Sequence, residues 1–148
     1  MLDNGATTIW ERWEHVRGGG MSSHNHPMYA TVSGWLSRYL GGIRASEAGP
    51  GFAEVVVQPY VPAELAWSET SLETVRGRVL SAWRRAGAGS VEYHIIVPPS
   101  STARLELSGP EEGTWPASLG LPRILRGPDG TRCAWRVGGG EYRIVMRR

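Results

Sequence analysis

Between Met28 and Leu40 the apolar residues fall at Met28, Val32, Trp35, Leu36, Tyr39 and Leu40. Steps of three and four place them on one face of a helix, and this spacing predicts a helix over 28–40. Asn25 is positioned to cap its start, and Pro27 suits a first turn, where the missing N–H costs nothing. Gly41-Gly42 ends it, because glycine adopts the left-handed conformation of a helix C-terminus without penalty. Past Gly51 the period changes. Ala53–Val57 runs into a Pro-Tyr-Val-Pro break, Leu72–Val75 and Val79–Trp83 flank an Arg-Gly turn, and Gly87–Ser90 leads into the alternating run Val91–Val97. Further short runs follow at Ala103–Leu107, Cys133–Val137 and Tyr142–Met146, the last two joined by Gly138-Gly139-Gly140. Runs of this length and spacing predict an antiparallel β-sandwich or barrel.

A lone helix has nowhere to hide its stripe. An apolar helix face must pack against another element, so Trp35 and its neighbours are expected in a core. Either the helix lies on the sandwich, or the helices it belongs with are absent from the chain. Trp67, Trp83, Trp115 and Trp135 are expected to fill or edge the sandwich, and an exposed one could serve as a platform for a sugar ring.

The 148 residues suffice for one domain, or for one small domain and part of another. A net charge of +2, with the arginines scattered, leaves out the clustered basic stripe that nucleic acid requires. Nothing approaches the ~20 apolar residues of a membrane span, and MLDNGATT lacks the basic start and apolar run of a signal peptide. No compartment follows from this. The single cysteine, Cys133, excludes an intrachain disulfide and reads as a buried strand thiol between Arg132 and Trp135. Glu111-Glu112 beside Gly113 reads as a solvated loop.

The candidate chemistry lies in the first 27 residues. Glu11 and Glu14 alternate with Trp10 and Trp13 in TTIWERWE. Carboxylates beside aromatic faces are a way to grip and hydrolyse sugars. As a self-contained pair the two glutamates are poorly placed, because an inverting glycosidase needs its carboxyl groups about 6.5–9.5 Å apart across the scissile bond. Two carboxylates on one short segment crowd one side of the ring. Taken alone, such a segment is most often a packed turn with a surface Arg–Glu contact. In Ser22-Ser23-His24-Asn25-His26-Pro27, two imidazoles fall short of the three protein ligands of a catalytic zinc site. Hydrogen bonding to hydroxyl or backbone groups is the simpler reading of His24, Asn25 and His26, and neither a metal nor another cofactor is expected.

Three ordered sets of residues resemble one family. They are Gly5-Ala6-Thr7-Thr8-Ile9-Trp10-Glu11-Arg12-Trp13; Met21-Ser22-Ser23-His24-Asn25-His26 running into Gly34-Trp35-Leu36; and Gly42-Ile43-Arg44 followed by Pro50-Gly51-Phe52 and Val57-Gln58-Pro59. Together they are similar to the C-terminal end of a bacterial α-L-rhamnosidase of glycoside hydrolase family 78. The resemblance implies that residues 1–46 are the incomplete end of a six-hairpin (α/α)6 glycosidase domain, and that 50–148 form the C-terminal antiparallel β-sandwich. It implies that Glu11 is the general base of an inverting hydrolysis, that His26 bonds rhamnose hydroxyls, and that Trp10 and Trp13 wall the sugar site. Arg12 and Asn25 become supports for Glu11 and His26, and Glu14 takes no catalytic role.

The family's general acid lies upstream in the barrel and has no counterpart here. Ser22, His24 and Pro27 depart from the family's usual residues, and the link Arg17-Gly18-Gly19-Gly20 is short. The expected partners are therefore rhamnose-containing glycosides and the remaining barrel, which a separate chain could supply. The rival expectation is a non-catalytic carbohydrate-binding or structural sandwich.

Overall fold

The computed structural model describes residues 1–18, 23–87, 89–109, 115, 118–127 and 130–147. Glu111, Glu112 and Gly113, read from sequence as a solvated loop, lie outside the described residues, as do Gly19–Ser22. By its internal contacts the chain forms two compact units, Met1–Leu36 and Ser37–Arg148.

The first unit is mostly irregular. A 3₁₀ turn at Leu2–Asn4 opens it, and a second at Pro27–Ala30 leads into helix α1, Thr31–Tyr39. The helix expected over 28–40 therefore begins as a tighter turn. Pro27 sits at the start as the sequence implies, but Asn25 is not the cap. His26 holds that position in an extended conformation, with no side-chain capping bond. The stripe expected in a core is largely exposed: Met28, Val32, Trp35, Leu36 and Tyr39 are all among the exposed large apolar residues.

The second unit is a two-sheet β-sandwich. Among the described residues its strands are β1 Ile43–Ala45, β2 Glu54–Val57, β3 Trp67–Thr74, β4 Gly77–Ala86, β5 Ser90–Val97, β6 Thr102–Ser108, β7 Arg123–Gly127, β8 Gly130–Val137 and β9 Gly140–Arg147. One sheet has the order β1-β2-β6-β8-β7 and the other β3-β4-β5-β9. Among the described residues all pairings are antiparallel except β2 with β6. The glycine run Gly138–Gly140 does not close a hairpin, because β8 and β9 belong to different sheets.

The period of two decides which side chains meet between the sheets. In β5, Val91, Tyr93, Ile95 and Val97 are buried while Ser90, Glu92, His94 and Ile96 are less so. Val79 and Trp83 of β4, Leu105 and Leu107 of β6, Cys133 and Trp135 of β8, and Ile144 and Met146 of β9 join the same cluster. Both large indoles in it keep their N–H satisfied, as buried tryptophans must. Trp83 donates to the Leu40 carbonyl at 3.0 Å and Trp135 to that of Gly120 at 3.1 Å. Trp115 packs edge-on against Trp135, with centroids 6.1 Å apart. Trp67 is the exception among the four and stands on the outer face, 67% exposed.

Arginines tie down the loops. Arg85 donates to the carbonyls of Val61, Pro62 and Leu65, and Arg76 to those of Gly51 and Ser100. On the outer face of the five-stranded sheet, Glu106 is buried but accepts from Gln58 at 2.7 Å and pairs with Arg104 at 3.0 Å. That satisfies the requirement that a buried charge be partnered.

Cys133 is fully buried, and burial pushes its thiol from 9.0 up to about 11. A raised folded value means that the thiol's contribution to stability is intact below pH ~9 and lost as pH climbs through ~11. Because the thiolate is the nucleophile, a disulfide-exchange reagent at pH 8 should leave the native chain unlabelled. One equivalent should react once the chain is unfolded in denaturant. Rapid labelling of the folded protein would contradict the packing of β8.

Candidate active site

Two irregular stretches in the first unit lie side by side. The N–H of Glu11 donates to the Ser23 carbonyl at 2.8 Å, and the N–H of His26 to that of Ile9 at 2.7 Å. The Thr8 hydroxyl donates to the His24 carbonyl. These bridges bring the Trp-Glu-Arg-Trp segment against the Ser-His-Asn-His segment, twelve or more residues further along. The N-terminal residue braces the same region, with its amino group donating to the Trp13 carbonyl and its sulfur accepting from the Trp10 N–H, each at 3.3 Å.

Trp10 is 6% exposed and stacks on His24, with centroids 4.4 Å apart and planes 21° from parallel. His15 packs against both rings, at 5.2 Å from Trp10 and 5.5 Å from His24. Glu11, next in sequence, is half-buried. Its Oε2 accepts a hydrogen bond from the Ser23 N–H at 2.9 Å. One residue thus joins Ser23 twice, through its own N–H and through its carboxylate.

A cavity of about 460 Å³ opens here, lined by Met1, Ile9, Trp10, Glu11, Arg12, Trp13, Glu14 and Tyr29. Four of the six residues singled out from the sequence therefore share one cavity. Trp13 stands at its rim, 79% exposed. His26 is half-buried and lies outside the lining, with its ring 5.7 Å from that of Tyr29, which lines it. Asn25 is exposed, and its N–H donates to the Ser23 hydroxyl at 3.2 Å. A hydrogen bond on the Glu11 carboxylate comes from the Ser23 backbone. Among the described residues no cluster of three His, Cys, Asp or Glu side chains is arranged to hold a metal ion.

Ser23, through its backbone N–H, and Tyr29 are contributors that the sequence did not mark for this site, and His24, read from sequence as a hydrogen-bonding residue, stacks on Trp10. A backbone N–H carries no residue signature, so Ser23 could not have been found by type. The stacking of His24 on Trp10 follows from the bridging pattern and from nothing local.

Similarity to known proteins gives the class. Residues 42–118 match the family model of the bacterial α-L-rhamnosidase C-terminal domain, and residues 1–40 match that of the bacterial α-L-rhamnosidase six-hairpin glycosidase domain. The chain belongs to the bacterial α-L-rhamnosidase family.

Among its relatives, the α-L-rhamnosidase of Streptomyces avermitilis is 29% identical over 98% of this chain. That of Alteromonas sp. (strain LOR) is 32% identical over 67% of it. The crystal structure of the Streptomyces avermitilis α-L-rhamnosidase complexed with L-rhamnose superposes over 99% of this chain, with a TM-score of 0.74 and 26% identity. The chain spans only 14% of the length of the Streptomyces relative and 12% of the Alteromonas one.

Proposed function

We propose that this chain carries the general-base half of an inverting α-L-rhamnosidase site, and that it works only together with the rest of a six-hairpin barrel. In this reading residues 1–40 are the end of the barrel, and the sandwich begins earlier than the residue 50 expected from sequence, because Ile43–Ala45 already pair with β2 as strand β1. The observation that carries it is Glu11, half-buried on the wall of the cavity with Ser23's N–H on its Oε2 at 2.9 Å. A base must hold a water against the anomeric carbon, with one oxygen fixed and the other turned to that water. A backbone donor on one oxygen fixes the carboxylate's rotation and leaves the other oxygen to hold that water.

Trp10 and Trp13 would meet the apolar face and methyl group of rhamnose and exclude water from the bond that breaks. His26, beside Tyr29, would bond sugar hydroxyls. Arg12 would sit close to the developing charge, and Asn25 would hold the loop that carries His26. The substrate class is a terminal α-L-rhamnoside. The general acid, which must protonate the leaving oxygen from the opposite side, would come from the remaining barrel. Its helices would also cover the exposed stripe of α1, since a patch of that kind marks a surface meant for contact.

The test is hydrolysis of an aryl α-L-rhamnoside by the purified 148-residue chain. Without an acid, a factor of typically about 10²–10⁴ is missing, and the loss of positioning by the barrel adds to it. No turnover above the uncatalysed rate is expected. Turnover that Glu11→Gln abolishes would overturn the need for a partner portion of the barrel.

A further inference from the structure

The sandwich has a cavity of its own, about 550 Å³, on the outer face of the four-stranded sheet. Strand register sets it out in two rows across β3, β4, β5 and β9. Trp67, Arg84, Glu92 and Val145 form one row, and Glu69, Ala82, His94 and Arg143 the other. Ala82 makes the floor, because a methyl group in the middle of the sheet leaves the longer side chains around it to form walls. Trp67 rises from the edge strand β3, 67% exposed.

The walls are already pinned. Arg84 pairs with Glu92 at 2.6 Å, and the Glu141 carboxylate takes both Arg143 at 2.7 Å and His94 at 2.9 Å. Hydrogen bonds from Arg143 and then His94 hold Glu141 below the usual carboxylate range. Side chains fixed before a ligand arrives lose little freedom on binding.

The chemistry narrows the ligand. Glu69 and Glu92 balance Arg84 and Arg143, so the lining offers no net charge to a polyanion or a polycation. A peptide adding as a strand would use the edge of β3, not the face. What the face presents is an upright indole beside a ring of donors and acceptors above an apolar floor. That matches a molecule with one apolar face and hydroxyl groups around its rim.

We propose that this cavity is a binding subsite for a neutral pyranose, with the sugar's C–H face on the Trp67 indole and its hydroxyls bonded to Glu69, Glu92 and His94. The site stands on the sandwich alone and needs no reaction at Glu11. Only the choice of a rhamnoside as the first probe rests on the rhamnosidase reading.

The experiment titrates the full chain with methyl α-L-rhamnopyranoside, methyl α-D-galactopyranoside and methyl α-D-glucopyranoside, following amide and indole N–H signals by NMR. At least one should bind saturably with a dissociation constant of about 1 mM, shifting the Trp67 indole and the amides of Glu92 and His94. Trp67→Ala should weaken binding at least tenfold and Glu69→Gln several-fold, while Trp67→Phe retains most of it. Because Trp67 is exposed, an unchanged amide spectrum elsewhere will confirm that the alanine variant is folded. Glu11→Gln and His26→Ala should leave this binding unaltered. Failure of all three glycosides to bind overturns the proposal, as does undiminished binding by Trp67→Ala or loss of binding in Glu11→Gln. None of these outcomes bears on hydrolysis, so this site can fail while the rhamnosidase reading stands.

Discussion

Gly42→Ala is expected to cost the sandwich about 4 kcal/mol or more, enough to leave a marginally stable domain largely unfolded. Gly42 links the end of α1 to β1 with φ +69, in the left-handed region that side chains disfavour. A Cβ there would stand 2.1 Å from the Gln58 carbonyl carbon and 2.2 Å from the Pro59 nitrogen. Both are backbone atoms, so no rotamer change relieves the clash. The main chain cannot retreat either. Gln58's N–H bonds the Gly42 carbonyl at 2.9 Å, and the next residue, Ile43, is already in register with Val57.

The control is Gly138→Ala, which meets nothing within 4 Å and should stay within about 0.5 kcal/mol of the parent. Gly139→Ala sits one position on and should behave like Gly42→Ala, because its Cβ would fall 2.5 Å from the Pro99 Cα. Urea unfolding followed by tryptophan fluorescence measures all three, with the buried Trp83 and Trp135 as reporters. If Gly42→Ala lies within 1 kcal/mol of Gly138→Ala, the crossing of residues 41–43 over 58–59 is not as described.

What the sequence revealed of this fold follows from where its signals are local. Val91–Val97 alternates cleanly because one face of β5 is core and the other is not, and the Arg76-Gly77 turn declares the β3–β4 hairpin. The first half of β3 stayed hidden. Its inward positions, Ser68 and Thr70, are small and polar, so Trp67–Ser71 shows no apolar alternation although it pairs with β4 throughout. β1 is three residues long, too short for any period to register. That Gly138–Gly140 carries the chain from one sheet to the other is invisible locally, since β9 pairs with β5, whose Val97 and Ser90 lie opposite Gly140 and Arg147, and not with β8 just before it.

The candidate site divides in the same way. Glu11, Trp10 and Trp13 are legible by residue type, and the resemblance to a family picks Glu11 over Glu14. Ser23's part is not legible at all, because it is played by a backbone N–H that any residue could offer. The helix stripe misled in one respect. The spacing of Val32, Trp35, Leu36 and Tyr39 marks a face built for packing, but a period cannot say whether the partner is present, and in this chain those residues are exposed.

Glu11→Gln should lower kcat by about 10²–10⁴-fold in a complete barrel, with KM nearly unchanged. Such a barrel can be assembled by grafting this chain in place of the matching 14% of the Streptomyces avermitilis α-L-rhamnosidase. Glutamine keeps the size of the side chain and its capacity to accept the Ser23 N–H, so the loop bridging residues 11 and 23 should persist. What it cannot do is take a proton from water. A base acts as the bond to water forms, so the loss should fall on the chemical step rather than on sugar binding.

His26→Ala in the same graft should raise KM, because a hydroxyl partner is lost in the ground state and the transition state alike. Trp13→Ala should do the same more weakly, since Trp13 is exposed at the rim. Azide offers a further readout. A small anion that attacks without needing a base should restore turnover to Glu11→Gln and give a glycosyl azide of inverted configuration, whereas a structural role for Glu11 predicts no rescue. A graft that is active and indifferent to Glu11→Gln would place the base elsewhere and reduce Glu11 to a tie between two strands of loop.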